Sequence, residues 1–344
     1  MLPPVLLRRL VLAPAVVLLT LVAVTTLPVL LLVGAALSTF LPGRWRPLRL
    51  IWMVLLYLCL ETVSLVVLLG LWVGSGFGWK IRTPRFQRAH YVLVMWFLRV
   101  LFWECRRVLH VRVAVEGPPP RSYDGRPLLI LSRHAGPGDS FLVVHALVNW
   151  YEREPRIVLK DTLQWDPAID VVLNRLPNRF IRPNPGEAAE QVTRLVGQLS
   201  RNLDHNDAFV IFPEGGNFTE HRRKRAIERL RRKGHIDEAE RAEQLRHVMA
   251  PRPGGVLEAL KTAHEADVVF VAHTGVEHMT TVLDLWRELP MDRVIEMRWW
   301  IVPADEVPAG EEARIDWLFA WWARIDDWVD ERQAAAGVHP RTRG

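Results

Sequence analysis

His134 and Asp139 stand five residues apart in the stretch SRHAGPGDS, residues 132–140, between the apolar runs LLIL and FLVVHAL. The histidine ends a strand, and Gly136-Pro137-Gly138 forces a turn. Asp139 then falls at or near the N-cap of a helix that starts at Ser140. In that placement the carboxylate can curl back to the imidazole. A carboxylate on one ring nitrogen fixes the tautomer and leaves the other nitrogen free as a base. Such a base can activate a hydroxyl group on a substrate, so no serine or cysteine nucleophile is required. Of the 12 histidines, only His134 has an aspartate five residues further on.

A second strand-to-loop stretch, AFVIFPEGGNFTEHRR (208–223), repeats the pattern with a carboxylate. Strand ends along one edge of an α/β sheet build the site. If the two strands are neighbours, Glu214 and the Gly215-Gly216 backbone come close to His134. The remaining motifs read more plainly. GSGFG (74–78) follows no strand and is not a dinucleotide loop; it reads as a flexible exit from the preceding apolar segment. HRRKRAIERLRRKGH (221–235) is a basic helix, either a solvated face or a contact for anionic lipid or CoA phosphates. His273 and His278 have no metal-ligand company and read as core or surface residues. Trp317, Trp321, Trp322 and Trp328 read as packing for a C-terminal helix.

The elements that must position these residues begin at about residue 110. Candidate strands are 111–115, 128–132, 156–159, 208–212, 268–272 and 294–302. Helical patterns fall at 140–151, 167–175, 186–203, 222–248, 254–265 and 311–333. This alternation argues for an α/β domain, a sheet with helices packed on it. Before it, residues 10–41 and 51–73 are apolar enough and long enough to span hydrocarbon. A cleaved leader does not fit, since the first run is too long and a second follows at once. A buried pair of core helices is the alternative. Arg44, Arg46 and Arg49 lie between the runs, with Arg8 and Arg9 before them and Lys80, Arg82, Arg85 and Arg88 after. A hairpin anchor fits this distribution. Glu61, inside the second run, is read as a hydrogen bond to the partner helix. Residues 85–109 form an amphipathic helix for the interface or for packing on the domain.

Lys and Arg number 44 against 38 Asp and Glu, a net charge of +6. That suits an anionic membrane surface or phosphorylated substrates. Nucleic acid has only the charge in its favour. Two cysteines, Cys59 and Cys105, exclude a disulfide framework and a cysteine-based zinc site.

Together the segments resemble the glycerophospholipid acyltransferase family, the PlsC-like lysophosphatidic acid acyltransferases, over roughly residues 85–305. His134 and Asp139 match its His-x4-Asp block. Phe212, Pro213, Glu214 and Gly215 match its Phe-Pro-Glu-Gly block. RFIRP places Arg182 at the position of the intermediate arginine. VLKDTLQWDP places Lys160 at that of a lysine, and MAPRPGGVLEAL is similar to a later Pro-x-x-Gly block. The chain departs from the pattern at Gly216 and Asn217, where many members have Thr-Arg. That departure resembles the branch of lysophospholipid and lysocardiolipin acyltransferases.

The resemblance implies a mixed sheet with flanking helices behind an N-terminal two-helix membrane hairpin. It divides the chain into a hairpin (1–78), an interfacial helix (79–110), an α/β acyltransferase domain (111–310) and a C-terminal helix and tail (311–344). The implied reaction moves a fatty acyl group from acyl-CoA to the free hydroxyl of a lysophospholipid, first of all 1-acyl-sn-glycerol-3-phosphate. His134 is then the base and Asp139 its orienting partner. Glu214, Gly215, Gly216 and Asn217 shape the acceptor site, and Arg182 and Lys160 supply charge for the acceptor phosphate. Acyl-CoA is a co-substrate, and no metal, bound cofactor or nucleic acid is implied. The expected location is the cell membrane, with the catalytic domain on the cytoplasmic face. A CoA-independent transacylase would carry the same motifs. A non-catalytic lipid-binding adaptor would not need all of them.

Overall fold

The computed structural model describes residues 2–336 apart from 42, 44, 119–124, 137, 182–187, 278–285 and 287–288. The strands are β1 (Arg112–Glu116), β2 (Leu128–Ser132), β3 (Glu154–Lys160), β4 (Arg179–Ile181), β5 (Asp207–Ile211), β6 (Asp267–Thr274) and β7 (Val294–Val302). The chain divides into two units. One comprises residues 1–112, 156–188 and 281–293; the other comprises 113–155, 189–280 and 294–344.

In the first unit, helices Val5–Thr25 and Arg46–Gly74 are long and apolar enough to cross a membrane. The run expected as one segment over 10–41 is broken at Thr26, just before Pro28, and resumes as Leu27–Phe40. Proline removes an N–H and suits the first turn of a new helix better than the interior of an old one. Leu18, Leu21, Leu32, Val66 and Leu69 are exposed on these helices, which speaks against a soluble core pair. Thr62 donates to the Thr20 hydroxyl at 2.8 Å, joining two of the helices.

Glu61 does not bond to the partner apolar helix. Its carboxylate accepts from the Ala168 N–H at 2.8 Å, at the start of helix Pro167–Arg175. The first N–H groups of a helix have no partner within it, and a carboxylate satisfies one of them. Arg8 is likewise turned inward, paired at 2.8 Å with the fully buried Asp170. Helix Pro84–Val108 packs Tyr91 and Leu93 against Leu68 and Val171. β3 and β4 pair in parallel, with Leu159 opposite Phe180. β4 went unread in the sequence because it is only three residues long.

In the second unit the strands run β1-β7-β6-β2-β5. β2 is parallel to both β5 and β6, and β7 returns antiparallel to β6, so the sheet is mixed as expected. β2 and β6 are buried along their whole length. That is why they read as unbroken apolar runs rather than as alternation. The basic segment expected as a single helix over 222–248 is two, Glu220–Arg232 and Ile236–Gln244, separated at Gly234 where φ is +82°. Helix Glu311–Ala335 covers β6 with tryptophans: Trp321 stacks on Phe270 at 4.3 Å, and Trp322 and Trp328 are buried.

Candidate active site

β2 and β5 leave the sheet side by side, with Leu131 opposite Ile211. His134 follows two residues beyond the end of β2, and Glu214 three beyond the end of β5. The neighbouring strands required by the sequence reading are therefore present. Helix Asp139–Asn149 begins at the aspartate itself. Pro137 lies outside the described residues.

The two oxygens of Asp139 lie 3.0 and 2.9 Å from His134 Nδ1, and the Gly136 N–H donates to Oδ2 at 3.0 Å. Asp139 is completely buried. An ionised carboxylate only accepts, so Nδ1 carries the proton and Nε2 is left with its lone pair. Among the described residues nothing hydrogen-bonds Nε2, and the His134 side chain remains 13% exposed. Burial alone would raise the Asp139 carboxyl pKa. The hydrogen bond from His134, the facing His273 and His134 rings and the Gly136 N–H outweigh burial and hold it below the usual carboxylate range.

The loop after β5 wraps the base. The Phe212 ring lies 4.7 Å from the imidazole, and the Phe218 N–H donates to the His134 carbonyl at 2.9 Å. Glu214 sits beneath the site rather than on its surface. Oε1 accepts from the His134 N–H at 2.9 Å and Oε2 from the Met249 N–H at 3.0 Å, and the residue is 1% exposed. Glu214 thus braces the backbone of the site from beneath. Burial pushes its pKa up to about 8, against the Met249 and His134 N–H groups and the charge of Arg133, which lower it. Gly215 adopts φ +70°, a region glycine enters without steric cost. Gly216 is buried and Asn217 half-buried in the same loop. Lys160 is the exposed last residue of β3, in the other unit. Arg182 and His278 lie outside the described residues.

Residues 112–280 match the family described as Acyltransferase. This part of the chain belongs to that family. The resemblance carried by the His134 and Glu214 blocks is thereby borne out. Among solved structures, the chain is similar to the 1-acyl-sn-glycerophosphate (LPA) acyltransferase PlsC from Thermotoga maritima. Identity is 14% and the TM-score 0.44, over 79% of this chain and 97% of that one. No curated protein matches the chain.

The acyltransferase domain also holds a buried polar group that sequence reasoning missed. Arg133, 1% exposed, donates to Glu277 at 2.7 Å and to the His247 carbonyl at 3.0 Å. The charge and hydrogen bond of Arg133 overcome burial and hold Glu277 at about 2. His273, fully buried, donates from Nε2 to the Arg133 carbonyl at 3.1 Å and lies 3.7 Å from Asp139 Oδ2. Burial lowers its pKa, against the opposing charge of Asp139, which raises it. The expectation of a core histidine holds for its burial. Its placement on Asp139 had no signal in the sequence beyond a position near the end of an apolar strand. Arg133 had a usable one: an arginine directly after a fully buried strand needs an acidic partner.

Proposed function

We propose that this acyltransferase transfers a fatty acyl group from acyl-CoA to the free hydroxyl of a lysophospholipid, with 1-acyl-sn-glycerol-3-phosphate as the first acceptor. The observation that carries the reading is the unpartnered Nε2 of His134, backed on Nδ1 by buried Asp139. In the reaction Nε2 takes the hydroxyl proton as the acceptor oxygen bonds to the thioester carbonyl carbon. The imidazolium that forms is stabilised by the Asp139 carboxylate. The tetrahedral adduct then expels CoA, whose sulfur receives the proton from Nε2. No covalent acyl-enzyme is needed. Glu214 keeps the His134 backbone in place, so the imidazole meets the acceptor in a fixed pose.

The two long apolar helices support a membrane location. The acceptor is a lipid and the donor thioester is cytosolic, so we place the catalytic domain on the cytoplasmic face, behind a membrane anchor of residues 1–78. The test is direct: purified protein in liposomes is offered lysophospholipids of several headgroups, with and without acyl-CoA. Product that requires acyl-CoA supports the reading. Product formed equally without it, from a diacyl phospholipid donor, would replace the reading with a transacylase.

A further inference from the structure

Where many relatives carry Thr-Arg after the Glu-Gly pair, this chain has Gly216-Asn217, and the loop itself offers no cation. The structure brings cations to it from outside. Arg252, at the start of helix Pro253–Thr262, is fastened to the loop by its backbone N–H, which donates to the Pro213 carbonyl at 2.9 Å. Its guanidinium lies flat against Gly215: a Cβ on that glycine would stand 2.8 Å from Cζ. Arg222 reaches the next residues. Its Nη1 donates to the Asn217 carbonyl at 3.2 Å, and a Cβ on Gly216 would lie 3.2 Å from the same nitrogen. Arg229, two helical turns beyond Arg222, shares its helix face.

None of these three arginines has a carboxylate within ion-pair reach among the described residues, whereas Arg223 and Arg231 on the same helix do. Partial burial, and then the charges of Arg229 and Arg222, lower the pKa of Arg252. The guanidiniums of Arg252 and Arg222 gathered at one loop without an anion are an incomplete arrangement. The loop they face is the one whose Glu214 and Phe218 hold His134.

We propose that Arg252 and Arg222, supported by Arg229, form the cradle for the phosphate of the acceptor and so replace the arginine that the loop lacks. This rests on the acyltransferase reading above. The acceptor hydroxyl must lie at His134 Nε2, and in a glycerophosphate the phosphate hangs from the adjacent carbon. The CoA phosphates lie a whole pantetheine arm away from the thioester. A phosphate beside this loop therefore belongs to the acceptor. The absence of side chains on Gly215 and Gly216 is what lets the guanidiniums lie so close.

The test uses full-length protein in liposomes with Arg252→Ala, Arg252→Lys and Arg222→Ala, each checked for an unchanged melting temperature. With 1-acyl-sn-glycerol-3-phosphate, Arg252→Ala should raise the acceptor KM roughly tenfold to a hundredfold, the loss of one charged hydrogen-bond donor. Arg252→Lys should recover part of the loss, since it restores charge but not the fork. Turnover of the phosphate-free 1-acylglycerol and the KM for acyl-CoA should not move. An unchanged acceptor KM in both alanine variants, or a shift confined to acyl-CoA, overturns the cradle. Calorimetric binding of glycerol 3-phosphate separates this from the reading beneath it. If the wild type acylates no lysophospholipid, the acyltransferase reading toward lysophospholipids fails. The cradle then stands if Arg252→Ala abolishes glycerol 3-phosphate binding and falls if wild type and variant bind alike. Should Arg252→Ala not fold, Arg252→Gln takes its place in every arm.

Discussion

At the scale of single residues, Asp139 is the point on which the site converges. It receives His134 Nδ1 and the Gly136 N–H, and it faces His273. Asp139→Asn keeps the volume but presents an amide where a carboxylate should meet an N–H. We expect kcat to fall with little change in either KM, because the loss is in orienting and charging the base; a rise in KM alone would place Asp139 in binding instead. His273→Phe removes the donor to the Arg133 carbonyl inside the core. It should cost about 1–3 kcal/mol of stability, the range for a buried group left unsatisfied, as read by chemical denaturation. The His134–Asp139 pair was legible because a glycine turn between a strand and a helix brings two such residues together by local geometry alone. His273 was not, because it reaches Asp139 from a strand more than 130 residues away, and no local pattern encodes that contact.

At the scale of elements, a chain of carboxylates fixes the site to the scaffold. Asp326, on the C-terminal helix, accepts from the backbone N–H groups of Arg246, His247 and Val248. The next residue, Met249, donates to Glu214, which holds His134. Asp326→Ala strands three backbone donors, of which the Val248 N–H is buried, and should cost about 1–3 kcal/mol, with the loss of activity following the loss of fold on heating. The two buried glutamates give stability opposite dependences on pH. Glu277, held near 2, contributes stability that is present above its ordinary 4.5 and is lost as pH falls from there toward 2. Glu214, raised to about 8, contributes stability that is full below 4.5 and is lost as pH rises toward 8. Denaturation curves at a series of pH values should therefore show Glu214→Gln with a flatter slope than wild type between pH 4.5 and 8. Parallel slopes would mean that Glu214 does not titrate there. The Pro-Glu-Gly-Gly loop was visible as a motif, but the direction of its carboxylate was not. A glutamate after a strand reads equally well as a ligand for substrate and as a brace for the backbone. Two backbone donors placed by distant segments decide between them.

At the scale of the whole molecule, hydropathy and strand–helix alternation separate an apolar N-terminal part of the sequence from an α/β part, but the compact units follow other bounds, since residues 156–188 and 281–293 group with residues 1–112. The break at Thr26 and the helix division at Gly234 were missed, since a proline near a helix start and a single glycine are also tolerated inside longer helices. The proposed anchoring makes its own prediction: protease added outside sealed cells should leave residues 110–344 intact, and cleavage between 200 and 250 would contradict the cytoplasmic placement. The central claim is that His134 is the base for acyl transfer, and steady-state turnover of His134→Ala tests it most directly. The assay uses liposomes with acyl-CoA and 1-acyl-sn-glycerol-3-phosphate, beside a melting curve for the same preparation. We predict a melting temperature close to wild type and a kcat lower by about 10²- to 10⁴-fold; near-normal turnover by the folded variant would contradict the account.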